Sequence, residues 1–382
     1  MPMTSRQRVL AALSHQPVDR VPLDLGSSIV SSINVNAYDR LKAYLNLDLG
    51  PTRVFDRRNQ LAVVDEAVLD SLGIDTVGVT VTPPEANDVR VPPDTEDEYT
   101  DMWGLVYHIK PGHDSYFAAN APLDGEELSL EDIENYPWPN PHDPALTDGL
   151  RERVQTVRAN TDRAVVLTLP GSIVQHSQMM RGFADWFMDV VLAPARLEAL
   201  MDKIMELQMA FNANYLAAVG DAVDAIFFFD DIAMQDRMVV SPADYAKLIE
   251  PRLRRYFAFL RSQTSAKLIY HTDGAIAPVL ADLADMPIDA VNPLQVSAKG
   301  MDDVAALKQV VGNRLAFWGG VDTQNTMPNG TPDDVRQETL SRIETLNRNG
   351  GYVLGAVHNI QADVPPENIV ALFEAGLGRK IG

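Results

Sequence analysis

Residues 267–292 read KLIYHTDGAIAPVLADLADMPIDAVN. Two short apolar runs, Lys267–Tyr270 and Asp289–Asn292, flank an interval long enough for a helix. Neither run alternates apolar with polar residues, which is the pattern of a strand covered on both faces, as in a parallel sheet. Working outward, the same kind of run recurs at Val21–Leu25, Asp75–Val81, Ala164–Leu169, Ala225–Phe229, Leu315–Trp318 and Tyr352–Val357. Helix signals fill the spaces between them. Ser241-Pro242-Ala243-Asp244 sets a capping hydroxyl, a first-turn proline and an early carboxylate before a helix reaching about Ser262. Thr331-Pro332-Asp333-Asp334 repeats that grammar before a helix closed by Asn349-Gly350-Gly351. Asp302 opens another helix and Pro365-Pro366-Glu367 the last.

Eight strands alternating with helices predict a (β/α)₈ TIM barrel. A doubly wound sheet is the alternative, but no glycine-rich GxGxxG loop follows any early strand. Residues 1–382 are read as one barrel domain. Residues 83–144, rich in Pro, Asp and Glu, are read as an insertion after the second strand, over the barrel mouth.

Composition narrows the function. The 382 residues carry 32 basic and 53 acidic side chains, a formal net charge of −21. Such a balance argues against a nucleic-acid groove or an anionic membrane surface, both of which need basic patches. No cysteine is present, which excludes disulfides, thiolate nucleophiles and thiolate-bound metals. The N-terminal region offers only the apolar run VLAAL, and no stretch approaches a membrane span, so a cytoplasmic protein is expected.

In a barrel, chemistry gathers at the C-terminal ends of the strands. His271 and Asp273 stand two apart after KLIY, on one face of an extended chain, and His358 follows YVLGAV. Two imidazoles and a carboxylate suit zinc with an open position, and also iron(II) or manganese. Asp230 and Asp231 follow AIFFF; neighbours on an extended chain point apart, so one of them faces the axis as a candidate catalytic carboxylate. Gln295, His176, Asp322 and Asn359 are candidate substrate-binding residues at other strand ends.

These segments resemble the uroporphyrinogen decarboxylase superfamily, and within it the branch of corrinoid-linked methyltransferases. The resemblance runs through TSRQRVLAALSHQPVDRVPLDLG, MVVSPADYAKLIEP, HTDGAIAP, NPLQ and VHNIQADVPPENIVALFEA. Family decarboxylases carry arginines after the first strand and a catalytic aspartate after the second. Gly26, Ser27 and Ser28 stand at the first place, and TVGVTVTPPEAND offers no counterpart at the second, which argues against porphyrinogen decarboxylation.

The methyltransferase branch holds zinc with His-x-Cys and a distant Cys, and the matching positions are His271, Asp273 and His358. In the related cobalamin-independent methionine synthases an acidic ligand falls between the two halves of the motif, where Gln295 lies here. Harder ligands leave a more electrophilic metal, better suited to an oxygen leaving group than to a soft thiolate. The resemblance therefore implies a corrinoid-dependent methyltransferase that demethylates a small methyl ether, aromatic ethers included. It implies a divalent metal, zinc foremost, and cobalamin carried by a partner corrinoid protein or bound at the barrel mouth. A metal-dependent decarboxylase or lyase on a small carboxylate, with Asp230 or Asp231 handling the proton, is the second reading. A non-catalytic binding protein on the same barrel is the third.

Overall fold

The computed structural model describes residues 2–381 except 83, 93 and 126, so Pro83, where the expected insertion begins, lies outside the described residues. Its centre is a seven-stranded parallel sheet: β1 (Thr76–Thr80), β2 (Ala164–Thr168), β3 (Ala225–Phe229), β4 (Lys267–His271), β5 (Ala290–Asn292), β6 (Ala316–Trp318) and β7 (Tyr352–Val353). Each strand pairs with the next in sequence, from β1 at one edge to β7 at the other. The helical signals fall near where the sequence places them, although Asp303 rather than Asp302 caps helix Val304–Val311, and the helix after Thr331 ends at Leu346, before Asn349-Gly350-Gly351. Thr331 closes a capping box on helix Pro332–Leu346, and Ser241 caps a helical run that continues to Gln263.

The expected eighth strand, Val21–Leu25, is reduced to a single bridge between Leu23 and Leu354. Asp24 N donates to Leu354 O on one side, and Asp75 N donates to Leu23 O on the other. The segment thus ties the two edges of the sheet without becoming a regular strand. Two features cause this: Pro22 has no N–H to give, and the N–H of Leu23 donates to the Asp75 carboxylate at 2.9 Å instead of to a neighbouring strand. The architecture is a curled seven-stranded parallel sheet of barrel type, open where the closed eight-stranded barrel would have its first strand. Regular pairing in the last strand also stops at Val353, short of the Val357 expected from sequence.

Side-chain alternation sorts the strands into two layers. Ala164, Val166, Ala225, Phe227, Ile269, Ala290, Ala316, Trp318 and Val353 form an inner cluster, completed by Val9 and Leu13 of helix Ser5–Leu13. Phe227 and Trp318 meet edge-on inside it, with ring centroids 5.1 Å apart. The intervening residues, such as Val165, Ile226, Leu268 and Phe317, face the other way into the larger core shared with the helices. Two residues beyond an inward Ile269 comes His271, and two beyond an inward Ala290 comes Asn292, so the alternation carries both to the inside at the strand ends.

The opposite end is fastened by buried carboxylates. Asp75 receives Arg8 and Arg20, each at 2.6 Å, and Asp224 receives Arg6 at 2.7 Å and Arg158. Between β1 and β2 the chain builds a three-stranded antiparallel sheet, Asp97–Thr100, Val106–Ile109 and Phe117–Ala118. Tyr99 and Tyr107 stack there, with Arg57 over the first ring and Arg58 over the second. Gly78 lets the loop after Leu25 lie directly on β1, because a Cβ would meet Ser27 O at 2.7 Å. Among the described residues no helix is long and apolar enough to cross a membrane.

Candidate metal centre

His271 ends β4 with its ring inward and buried, and Asp273 follows after one residue. Gly274, at φ +99°, turns the chain so tightly against the loop after β3 that a Cβ would lie 2.6 Å from Met234 O. His358 lies in the turn after the last strand. Asp273 Oδ2 stands 3.7 Å from His271 Nε2 and 3.7 Å from His358 Nε2. One ligand atom from each of the three side chains lies within 4.8 Å of the other two.

The residues fit a divalent ion. Bonds of about 2.1 Å at tetrahedral angles separate neighbouring ligands by roughly 3.4 Å, a few tenths less than the two 3.7 Å separations from Asp273 Oδ2. The other oxygen of that carboxylate, Asp273 Oδ1, is buried with no hydrogen-bond partner, spare acceptor capacity that a cation bound across both oxygens would satisfy. The tautomer is also set correctly. Asn292 Nδ2 donates to Trp318 O at 3.0 Å, which turns Asn292 Oδ1 towards His271 Nδ1 at 2.6 Å. An amide oxygen only accepts, so Nδ1 carries the proton and the Nε2 lone pair faces Asp273 and His358.

Electrostatics favour positive charge among the three side chains, which either a proton on His271 or a metal ion supplies. Burial works against a charged His271, but Asp273 and Asp231 outweigh it and hold the imidazole above its ordinary pKa. Burial likewise works against the Asp273 carboxylate, yet His271 and His358 keep it below the usual range. His358 is lowered, chiefly by burial. The cluster is a preformed meeting of one anion and two imidazoles.

The adjacent aspartates divide their work. Asp230 is buried, and its carboxylate accepts from the backbone N–H groups of Ile173, Val174 and Gln175, each at 2.9 Å. It therefore anchors the start of helix Val174–Arg181 rather than facing a substrate, although burial pushes its carboxyl up to about 7. Asp231 faces the cluster. Its Oδ1 lies 3.9 Å from His271 Nε2 and accepts from Asp273 N at 3.0 Å, while Gln175 Nε2 holds Oδ2 at 2.8 Å.

Of the four residues read as substrate ligands, Gln295, Asp322 and Asn359 hold neighbouring chain segments, and His176 does not. Gln295 accepts from Gly274 N at 2.5 Å and donates to Gln235, so it braces the turn beside Asp273 and is not turned towards the ion site. Asp322 accepts from Gln324 N and Asn325 Nδ2, shaping its own loop. Asn359 accepts from Ser32 N. His176 is buried beside Trp103, with ring centroids 4.2 Å apart, and its Nε2 has no partner. Loop amides at strand ends need acceptors, and polar side chains there supply them first. Sequence reasoning expects Asn292 at the same rim as His271 but misses its contact to the imidazole; the signal for that contact is its position two residues beyond an inward alanine, in the same layer as His271.

Comparison with known proteins agrees with this frame. The family model described as uroporphyrinogen decarboxylase (URO-D) matches residues 119–376, and the chain belongs to that family. It is 30% identical over 179 residues to methylcobamide:CoM methyltransferase MtaA of Methanosarcina barkeri, covering 47% of this chain and 48% of the relative. It is 28% identical over 182 residues to uroporphyrinogen decarboxylase of Psychromonas ingrahamii, covering 46% of each. The chain thus spans about half the length of these curated relatives. A solved methyltransferase from Methanosarcina mazei shares the fold over 98% of this chain and 99% of its own, at a TM-score of 0.68 and 20% identity.

Proposed function

We propose that this protein is a corrinoid-dependent methyltransferase that removes the methyl group from a small, aryl-type methyl ether. The carrying observation is the His271–Asp273–His358 cluster at the strand ends of a URO-D family chain, with no thiolate in it. The likeness to methyltransferases in sequence and fold supports the reaction class.

His271 Nε2, Asp273 Oδ2 and His358 Nε2 would hold a divalent ion, zinc being the first choice for two imidazoles and a carboxylate. When bound, such an ion stabilises negative charge developing on an ether oxygen, and it does so more strongly without thiolate donation. Asn292 fixes the His271 ring, and Asp231 and Gln295 fix Asp273 and Gly274 by accepting their backbone protons. With its Oδ1 3.9 Å from His271 Nε2, Asp231, rather than Asp230, would be the carboxylate beside the ether. A reduced corrinoid brought by a separate protein would supply the electron pair that accepts the methyl group, and the ether oxygen would keep the C–O bonding pair.

Purified protein with measured metal content, a panel of methyl ethers and a reduced corrinoid protein tests this by the absorbance of methylcobalamin. Methylation that disappears in His271→Ala and His358→Ala supports the reading. Carbon dioxide release from small carboxylates without corrinoid would replace it with the lyase reading. Full metal occupancy with neither reaction would leave a binding protein.

A further inference from the structure

A second cavity, of about 210 Å³, lies between β1 and the helices Glu66–Leu72 and Leu150–Asn160. It shares no residue with the metal cluster. Its walls are largely hydrocarbon, from Leu25, Phe55, Leu69, Val77 and Val157. A dry aliphatic cavity of about 150 Å³ is enough to admit a benzene ring, so this one has room for a ring and one small substituent.

The polar side chains on its wall are one guanidinium, Arg153, and the hydroxyls of Ser27, Ser28, Thr80 and Thr168. Among the described residues no Asp or Glu lines the cavity, in a chain of net charge −21. Arg153 does line it. Its terminal nitrogens donate to Val81 O at 2.7 Å and Asp148 O at 3.1 Å, but its Nε–H has no acceptor. Glu85, Asp148 and Glu152 act on the guanidinium from a distance, and none of them forms an ion pair with it among the described residues. Thr168, at the end of β2, is a second wall residue whose buried hydroxyl lacks a partner. A guanidinium with a spare N–H and no contacting carboxylate, beside an apolar chamber, suits an anion joined to a compact hydrocarbon body.

We propose that this cavity is a binding site for a small aryl or branched-chain carboxylate, with the hydrocarbon among Phe55, Leu69, Val77 and Val157 and the carboxylate at Arg153. The loop that lines it, Gly26–Ser28, continues to Ser32, whose N–H donates to Asn359 beside the metal ligand His358. The site goes beyond the methyl-transfer reading and stands whether or not that reading holds.

The test is titration of the full chain with benzoate and with isovalerate, by calorimetry and by NOEs to the methyl groups of Val77 and Val157. Saturable binding of either acid at one site, with NOEs to those methyls, is the expected result. Benzyl alcohol on the native chain, or benzoate on Arg153→Met, should bind about tenfold more weakly, as loss of a charge-assisted hydrogen bond implies. Val157→Phe, which fills the chamber, should abolish binding while leaving bound metal unchanged. Failure of both acids to saturate would overturn the proposal, as would NOEs to other methyls only or unchanged benzoate affinity in Arg153→Met.

Discussion

Asn292→Ala probes the metal centre through a residue that touches no ion. Asn292 is fully buried, accepts from His271 Nδ1 at 2.6 Å and donates to Trp318 O at 3.0 Å. Its removal frees the His271 ring to turn and to exchange tautomers. Loss of such an outer partner weakens metal binding by about 10- to 100-fold, or roughly 1.4–2.7 kcal/mol. The metal-free protein should also lose stability, because a buried N–H and a buried carbonyl are each left unpaired at about 1–3 kcal/mol. Asn292→Asp separates the two effects. It keeps an acceptor for His271, so metal affinity should hold, but it sets a second oxygen against the Trp318 carbonyl, so stability should still fall. Competitive titration against a chromophoric chelator gives the affinity, and urea unfolding gives the stability. Native metal affinity in the alanine variant would refute the assignment of Nε2 as a ligand held in place by Asn292.

Three further outcomes are expected. His176 is held down to about 3 by burial, with Arg58 adding to the effect, so the unfolded chain takes up its proton first as pH falls below about 6.5. Stability should therefore drop between about pH 6.5 and pH 3, by up to roughly 1.4 kcal/mol per unit from this residue, and His176→Phe should flatten that slope in urea unfolding. Asp75→Ala leaves Arg8 and Arg20 without their shared partner and should cost roughly 3–5 kcal/mol; a loss near zero would show that the triad does not fasten the sheet edge. Asp273→Cys should keep the metal but shift its preference towards zinc over manganese, while slowing ether cleavage most for poor leaving groups. Equal rates across a leaving-group series would remove the metal from oxygen activation.

The sequence by itself determined the order of elements and the ends of most of them. Runs such as AIFFF and KLIY are apolar on both sides because both sides are buried, and Ser241 and Thr331 cap helices with neighbours three residues away. His271 and Asp273 were legible as a pair for the same reason, since two residues of extended chain fix their shared face. What escaped the sequence depended on partners distant along the chain. Leu23 fails to extend a strand because its N–H meets a carboxylate 52 residues later. Asp230 and Asp231 are chemically identical in the sequence, and only the amides of Ile173–Gln175, 55 to 57 residues earlier, decide which one is taken from the site. Periodicity specifies which way a side chain points, but the group that it meets there is decided by packing between elements, which is a property of the folded chain alone.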